Sequence, residues 1–319
     1  MPHAFDPIDL SKLKTYSVSE RKSKVSIDDF ASPWNSRGRF SNFLESLPDI
    51  LGASDLRSVI AAMVTAFQNR KTIMLAMGAH VIKVGLNPLI IDLMERGIIS
   101  AVAMNGAGII HDFELAMTGQ TSEDVAASIG DGTFGMARET GEFLSKAILK
   151  ADQESLGLGQ AVGMSILEHK LPLADKSILA AGARLHIPVT VHVAVGTDII
   201  HMHPGFDARA AGGASHRDFR TFASVAATLE GGVYLNVGSA VVLPEVFLKA
   251  ITLVRNLGHH AENFTTVNMD FIRHYRPMTN VVNRPTLGCG RGFNLVGHHE
   301  IMFPLIAAGV IEGISSADT

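Results

Sequence analysis

The sequence predicts an α/β protein whose mostly parallel, doubly wound sheet carries helices on both faces. Three observations predict it. Short uncharged apolar runs, such as Thr72–Met77, Ile98–Met104 and Ile187–Val195, alternate with longer segments whose apolar residues recur at helical spacing. Runs of that kind suit strands buried on both faces, as parallel strands are. Thirty glycines, many at the ends of those runs, suit tight strand-to-helix turns.

Residues 1–45 read as a polar, weakly patterned arm, made locally basic by Lys12, Lys14, Arg21, Lys22 and Lys24. It is either solvated or docked on a neighbouring subunit, and Trp34, Phe40, Phe43 and Leu44 suggest that its end packs. Residues 46–319 read as a single domain. Ser54 is expected to cap a helix running to Gln68, with Leu56, Val59, Ile60, Met63, Val64 and Phe67 on one face. In Thr72–Glu114 the pattern is strand, loop, helix, strand, glycine turn, helix. Gly78–Gly85 is the loop. Asn87 and Pro88 start a helix with the stripe Leu89, Ile90, Leu93 and Met94, and Gly97 ends it. The turn Asn105–Gly108 feeds the next helix. Such a βαβ unit places its loops where open α/β sheets bind ligands.

Helices are expected over Glu123–Ile129, Phe134–Lys150, Gly157–His169 and Ser177–His186, as an insertion or covering layer. After the strand Ile187–Val195 comes a polar loop, Gly196–His216, rich in His, Asp and Gly and too long for a bare connector. Phe219–Leu229 and Leu243–Leu257 read as helices, Gly232–Gly238 and Thr265–Phe271 as strands, Ile272–Gly297 as an Arg- and Asn-rich loop, and Glu300–Glu312 as a last apolar helix. The expected total is about six parallel strands.

A formal charge of −4 gives no reason to expect nucleic acid. One cysteine, Cys289, excludes an internal disulfide and suits a reducing cytoplasm. The amino terminus shows no apolar signal region, and no apolar stretch spans a bilayer. The polar loops hold an unusual share of the 14 histidines, with His201, His203, His216, His298 and His299; His192 lies on the Ile187–Val195 strand, and His111 stands beside Asp112. A metal reading takes Asp198, His201 and His203 as ligands of zinc or iron in a hydrolase or lyase. The other reading has them line a polar cofactor pocket, with His201 or His203 as a base. No GxGxxG follows a strand, so the ordinary dinucleotide fingerprint is absent.

Taken in order, GAHVIKVG, MNGAGIIHDFE, IPVTVHVAVGTD, GVYLNVGSAVVLPEVF and HHEIMFPLIAA resemble the successive motifs of the deoxyhypusine synthase family over residues 50–313. The resemblance implies a Rossmann-like NAD-binding fold and a homotetramer with active sites at dimer interfaces. It also implies the family reaction, an aminobutyl transfer from spermidine through an enzyme lysine to a lysine of a translation factor. That lysine is missing: Lys249 is the last in the chain, and the expected segment reads RPTLGCGRGFNLVG. Arg291 cannot form a Schiff base in its place, and Cys289 nearby reads either as a nucleophile or, as a lone Cys more often is, as structural. Ile110 and His111 stand where the family has acids, with Asp112 matching one. Arg273, His274, Arg276 and Arg284 occupy an otherwise acidic loop; they either converge on a carboxylate or phosphate or form structural ion pairs with Asp and Glu.

The expectation is therefore a cytoplasmic, homo-oligomeric NAD-binding enzyme acting on a small anionic substrate rather than making deoxyhypusine. Gly78, Ala79, His80, Asn105, Gly106, Gly108, Gly238, Ser239, His298 and His299 would line the cofactor site. Asp112, Arg273 and Arg276 would hold the substrate. Asp198, His201, His274 and Lys83 would carry the chemistry, Lys83 through a phosphate contact or as a displaced Schiff-base lysine. The alternatives are the metal enzyme and a non-catalytic nucleotide-binding oligomer.

Overall fold

The computed structural model describes residues 5–315. The ends of the expected arm and domain, residues 1–4 and 316–319, lie outside the described residues. Six strands form one parallel sheet in the order β3-β2-β1-β4-β5-β6: β1 Ile73–Met77, β2 Ala101–Asn105, β3 Val189–His192, β4 Val233–Val237, β5 Thr265–Asp270 and β6 Arg291–Val296. Between them run α1 Phe40–Ser46, α2 Leu51–Gln68, α3 His80–Lys83, α4 Asn87–Glu95, α5 Gly106–Thr118, α6 Val125–Ser128, α7 Arg138–Gln153, α8 Leu158–Glu168, α9 Ile178–Leu185, α10 Ala208–Ala226, α11 Val242–Asn256, α12 Tyr275–Pro277 and α13 His299–Ser315. This is the doubly wound α/β class that the apolar runs predict. No helix among the described residues is long and apolar enough to cross a membrane.

The sheet separates two cores because side chains alternate along each strand. Leu75, Met77, Val102, Met104, Val191, Leu235, Val237, Val267 and Met269 face a large apolar core with α2, α4, α5, α8, α9 and α13. Met74, Ala76, Ala101, Ala103 and Tyr234 face a smaller one under Phe222 of α10 and Phe247 of α11. The arm before α1 exposes Phe5, Ile8, Leu10, Tyr16 and Ile27. Its end packs as expected: Trp34 meets Phe43 edge-on, Leu44 is buried, and Arg57 of α2 donates to the carbonyls of Leu44, Leu47 and Pro48.

α2 starts at Leu51 with Ile50 at its cap position, so Ser54 lies inside the helix and does not cap it, and three longer stretches also differ from the sequence reading. The loop Gly78–Gly85 contains α3. The polar stretch Gly196–His216 holds a 3-10 turn, Ile199–Met202, and then the start of α10. Asp207 caps α10 by accepting from the Ala210 N–H, and alanine-rich sequence carries the helix through Gly212 and Gly213. The Arg- and Asn-rich loop Ile272–Gly297 contains β6, an edge strand too exposed to show an apolar run.

Asp112, expected to hold substrate, is fully buried inside α5. It accepts from Asn87 Nδ2 (3.0 Å), Ser177 Oγ (2.5 Å) and the N–H groups of Ile178 (2.9 Å) and Leu179 (3.2 Å). It thus completes the amino terminus of α9 and joins that helix to α4 and α5. Burial pushes its pKa up to about 6 against those four hydrogen bonds. Asp112→Ala strands all four donors, and urea unfolding should show a loss of about 3–5 kcal/mol. A loss under 1 kcal/mol would contradict this structural role.

Candidate functional site

β1 and β4 are neighbours, yet one half of the sheet continues through β2 and the other through β5. Their chains leave the sheet in opposite directions, and the crevice between the two exits is where such sheets bind ligands. Both exits are glycine. The Gly78 N–H donates to the Val237 carbonyl at 2.9 Å, and a Cβ on Gly78 would stand 2.1 Å from the Gly238 carbonyl oxygen. Gly238 has φ +64°, and a Cβ there would meet the His299 ring at 2.9 Å. The crevice floor is therefore bare main chain against one imidazole.

His299 opens α13 and is buried. Its Nε2 lies 3.9 Å from Asp270 Oδ1, and neither ring nitrogen completes a hydrogen bond. Burial lowers its pKa, while the Asp270 carboxylate and the nearby Met269 main chain oppose that shift. The His80 ring lies edge-on to His299 at 5.7 Å between centroids, and Phe271 is 6.0 Å from His299 and 6.2 Å from the nearly parallel His298 ring. His274 Nε2 is 4.0 Å from the other Asp270 oxygen. Three loops thus bring His80, Asp270, Phe271, His274, His298 and His299 together.

A second polar group lies at the ends of β2 and β3. Asn105 precedes α5, and Gly106 leaves room for the Asp198 carboxylate: a Cβ there would be 2.1 Å from Asp198 Oδ2. Asn105 Oδ1, Asp198 Oδ2 and His201 Nε2 are buried without a hydrogen-bond partner. Burial raises the Asp198 pKa, partly offset by His201 and Thr197. His201 Nδ1 accepts from the N–H groups of Gly196 (3.2 Å) and Asp198 (3.3 Å). In the neutral ring Nε2 then carries the hydrogen, so His201 offers a donor and not a base.

The remaining expected residues divide. Ala79 and Lys83 flank His80 on and before α3, with Lys83 exposed. Gly108 lets α5 lie on the Met104 side chain, a packing role. Ser239 is buried before α11, its Oγ accepting from the Leu243 N–H in the first turn of that helix. Arg276 pairs with Glu245 at 3.5 Å, and Arg284 donates to Asn280, so of the expected basic wall Arg273 alone stays exposed without a partner among the described residues. His203 is held away by the Gly135 carbonyl at 2.9 Å. No three His, Cys, Asp or Glu side chains converge for a metal among the described residues. His192 is a core residue, its ring edge-on to Phe222 and bonded to Thr190.

Sequence reasoning missed Asp270, Phe271 and Asp218. An acid closing the strand TTVNMD was the available signal for Asp270. Nothing local marks Asp218, which accepts from the Gly159 and Val191 N–H groups and seals the outer edge of β3 from α10. Burial raises its pKa to about 7.

No protein-family model matches the chain, and no curated protein matches it either. Among solved structures it is similar to AgrE in a ternary complex with ornithine and NAD+, at 12% identity over 85% of this chain and 35% of that one, with a TM-score of 0.52. An AgrE variant bound to L-arginine aligns at 16% identity over 85% of this chain and 34% of that one, with a TM-score of 0.51. A candidate deoxyhypusine synthase from Entamoeba histolytica aligns at 11% identity over 88% of this chain and 96% of that one, with a TM-score of 0.48. The chain spans about a third of the length of AgrE. At such identities the AgrE likeness shows the fold.

The glycine contact is testable without a ligand. Gly78→Ala forces a methyl into the Gly238 main chain and should cost about 3 kcal/mol in thermal or urea unfolding. Gly212→Ala, in a helix with open space around it, should gain about 0.5–1 kcal/mol. Equal effects at the two sites would contradict the close approach.

Proposed function

We propose that the crevice between the exits of β1 and β4 holds NAD or a related nucleotide, and that the protein is an enzyme acting on a small anionic substrate beside it. The observation that carries the reading is the set of buried polar atoms without partners at the strands' carboxyl ends: Asn105 Oδ1, Asp198 Oδ2, His201 Nε2 and both His299 ring nitrogens. Each such atom costs about 1–3 kcal/mol, which a polar ligand offsets. The donor set fits a dinucleotide. Asp198 suits ribose hydroxyls. The amino terminus of α13, with His298 beside it and His80 near, suits a pyrophosphate. The glycine floor lets a flat group approach the main chain. When bound, the nucleotide would supply hydride transfer.

Lys83 and Arg273, both exposed, favour an anionic substrate. AgrE, solved with ornithine and NAD+ on a similar fold, supports a nucleotide here. Deoxyhypusine synthesis is not favoured: beyond the absent lysine, Cys289 and Arg291 precede or open β6 and so lie at the opposite end of the sheet from the crevice. Neither is a metal enzyme, since His203 bonds elsewhere. A homo-oligomer, tetrameric by the family resemblance, in a reducing cytoplasm completes the reading.

Because a ligand bound to the folded state alone stabilises it by mass action, NAD at about 100 times its Kd should add about 2.7 kcal/mol. A melting-temperature series in NAD should rise with concentration. A flat series to millimolar NAD contradicts the proposal.

A further inference from the structure

We infer that β6 is the docking edge for a second copy of this chain, which pairs with it antiparallel about a twofold axis and joins the two sheets into one. Nothing in the pairing depends on what the crevice holds.

The sheet has two edges, β3 and β6, and the chain closes only the first. Along β3 the Val191 N–H donates to Asp218 and the Val193 N–H to Ser215 Oγ, while that hydroxyl donates to the Val191 carbonyl. Side chains of α10 thus answer the main-chain groups that a further strand would need. β6 has no such cover. The N–H groups of Arg291 and Gly297 turn inward, to the carbonyls of Phe264 and Asp270. N–H groups alternate along a strand, so those of Gly292, Asn294 and Val296 turn outward. None of the three donates to another part of the chain among the described residues. Gly292 is exposed, and so is Val296, at 58%. Beyond Arg291 the strand carries no charge and no proline, and its register with β5 is unbroken, so nothing on it blocks a partner.

Self-complementarity selects a second copy. The outward residues are spaced evenly about Asn294, so a twofold through that residue sets Gly292 opposite Val296 of the second copy and Asn294 opposite its own equivalent. Every outward N–H then finds a carbonyl. Arg291 falls opposite glycine, and no like charges meet. The side chains agree with the main chain. Asn236 donates to Asn268 and Asn268 to Asn294, so the amide row passes its donors toward the edge. It ends on Asn294 Nδ2, which has no partner among the described residues. Across the twofold lies an identical amide whose Oδ1 has a second lone pair. The two amides bond reciprocally, and the row crosses from one sheet into the next. A peptide of unrelated sequence would satisfy the main chain and leave this amide unanswered. Antiparallel pairing turns the second sheet end for end, so the two crevices open at opposite ends and neither is covered.

Sedimentation of the full chain should show a dimer, or a larger even-numbered assembly, that dissociates on dilution. Val296→Pro removes an outward N–H that no bond within the chain uses. It should leave the far-ultraviolet circular dichroism unchanged and weaken the dimer about 10–100-fold in Kd, or halve the mass of a larger assembly. Asn294→Asp keeps an acceptor for Asn268 but sets two carboxylates face to face. It should weaken pairing about tenfold at low salt and recover in about 1 M salt. Cys289 is the sole cysteine and is exposed, so it takes a spin label without mutation. Labels on the two copies should lie about 33 Å apart, from roughly ten residues of strand rise. If Val296→Pro misfolds, Asn294→Asp and the label decide. A monomer at every concentration, an assembly untouched by these substitutions, or no Cys289 separation within roughly 25–45 Å overturns the proposal.

Discussion

Two main chains touch where β1 and β4 leave the sheet, and the carboxyl end of the fold depends on that contact. Gly78 can lie against the Gly238 carbonyl only because it has no side chain. The ladder also runs one residue past each strand there: Gly78, Gly238 and Gly297 donate to Val237, Met269 and Asp270 in turn. These bonds hold three exits level, so that α3, α11 and α13 start from a common rim. His299 then seats over Gly238, and its ring is kept from ordinary partners by the same close packing. A larger residue at position 78 or 238 would part the strands or displace the imidazole, and the polar rim would lose its shape.

The two faces of the sheet do different work beneath that rim. One is a continuous apolar surface. On the other, Asn236, Asn268 and Asn294 sit side by side in register on β4, β5 and β6. Asn236 donates to Asn268, and Asn268 donates to Asn294, each at 2.8 Å. Asn236 also donates to the Ser239 carbonyl at 2.9 Å, which fixes the turn after Gly238. The row ties the exposed edge strand to the crevice, and at its crevice end Asn236 Oδ1 is buried without a hydrogen-bond partner. Next to it Tyr234 stacks on Phe247 at 3.6 Å between centroids, closing the smaller core.

Much of the fold was legible because buried parallel strands and amphipathic helices leave periodic apolar signals. Five strands show such runs; β6 does not, since an edge strand with Arg291, Gly292 and Asn294 reads like the loop around it. The start of α10 was hidden by Gly212, Gly213 and polar neighbours, although Asp207 was a legible cap. The candidate site was legible by position rather than by partner. His80, His298 and His299 follow strands and do meet, whereas Asp112 follows one too and turns inward. Its role depends on Ser177 and Ile178, far along the chain, and no local pattern encodes that. The same holds for His203, which packs against Gly141 and bonds Gly135, and for Arg276, whose partner Glu245 lies on another helix.

The rim leaves buried polar atoms without partners, and the proposed ligand would supply the missing hydrogen bonds. The most direct measurement is the electron density of crystals grown with NAD. The expected result is density for the nucleotide between the exits of β1 and β4, in contact with Asp198 and the start of α13. Well-ordered NAD at any other surface, with the crevice empty or filled by this chain's own side chains, would contradict it.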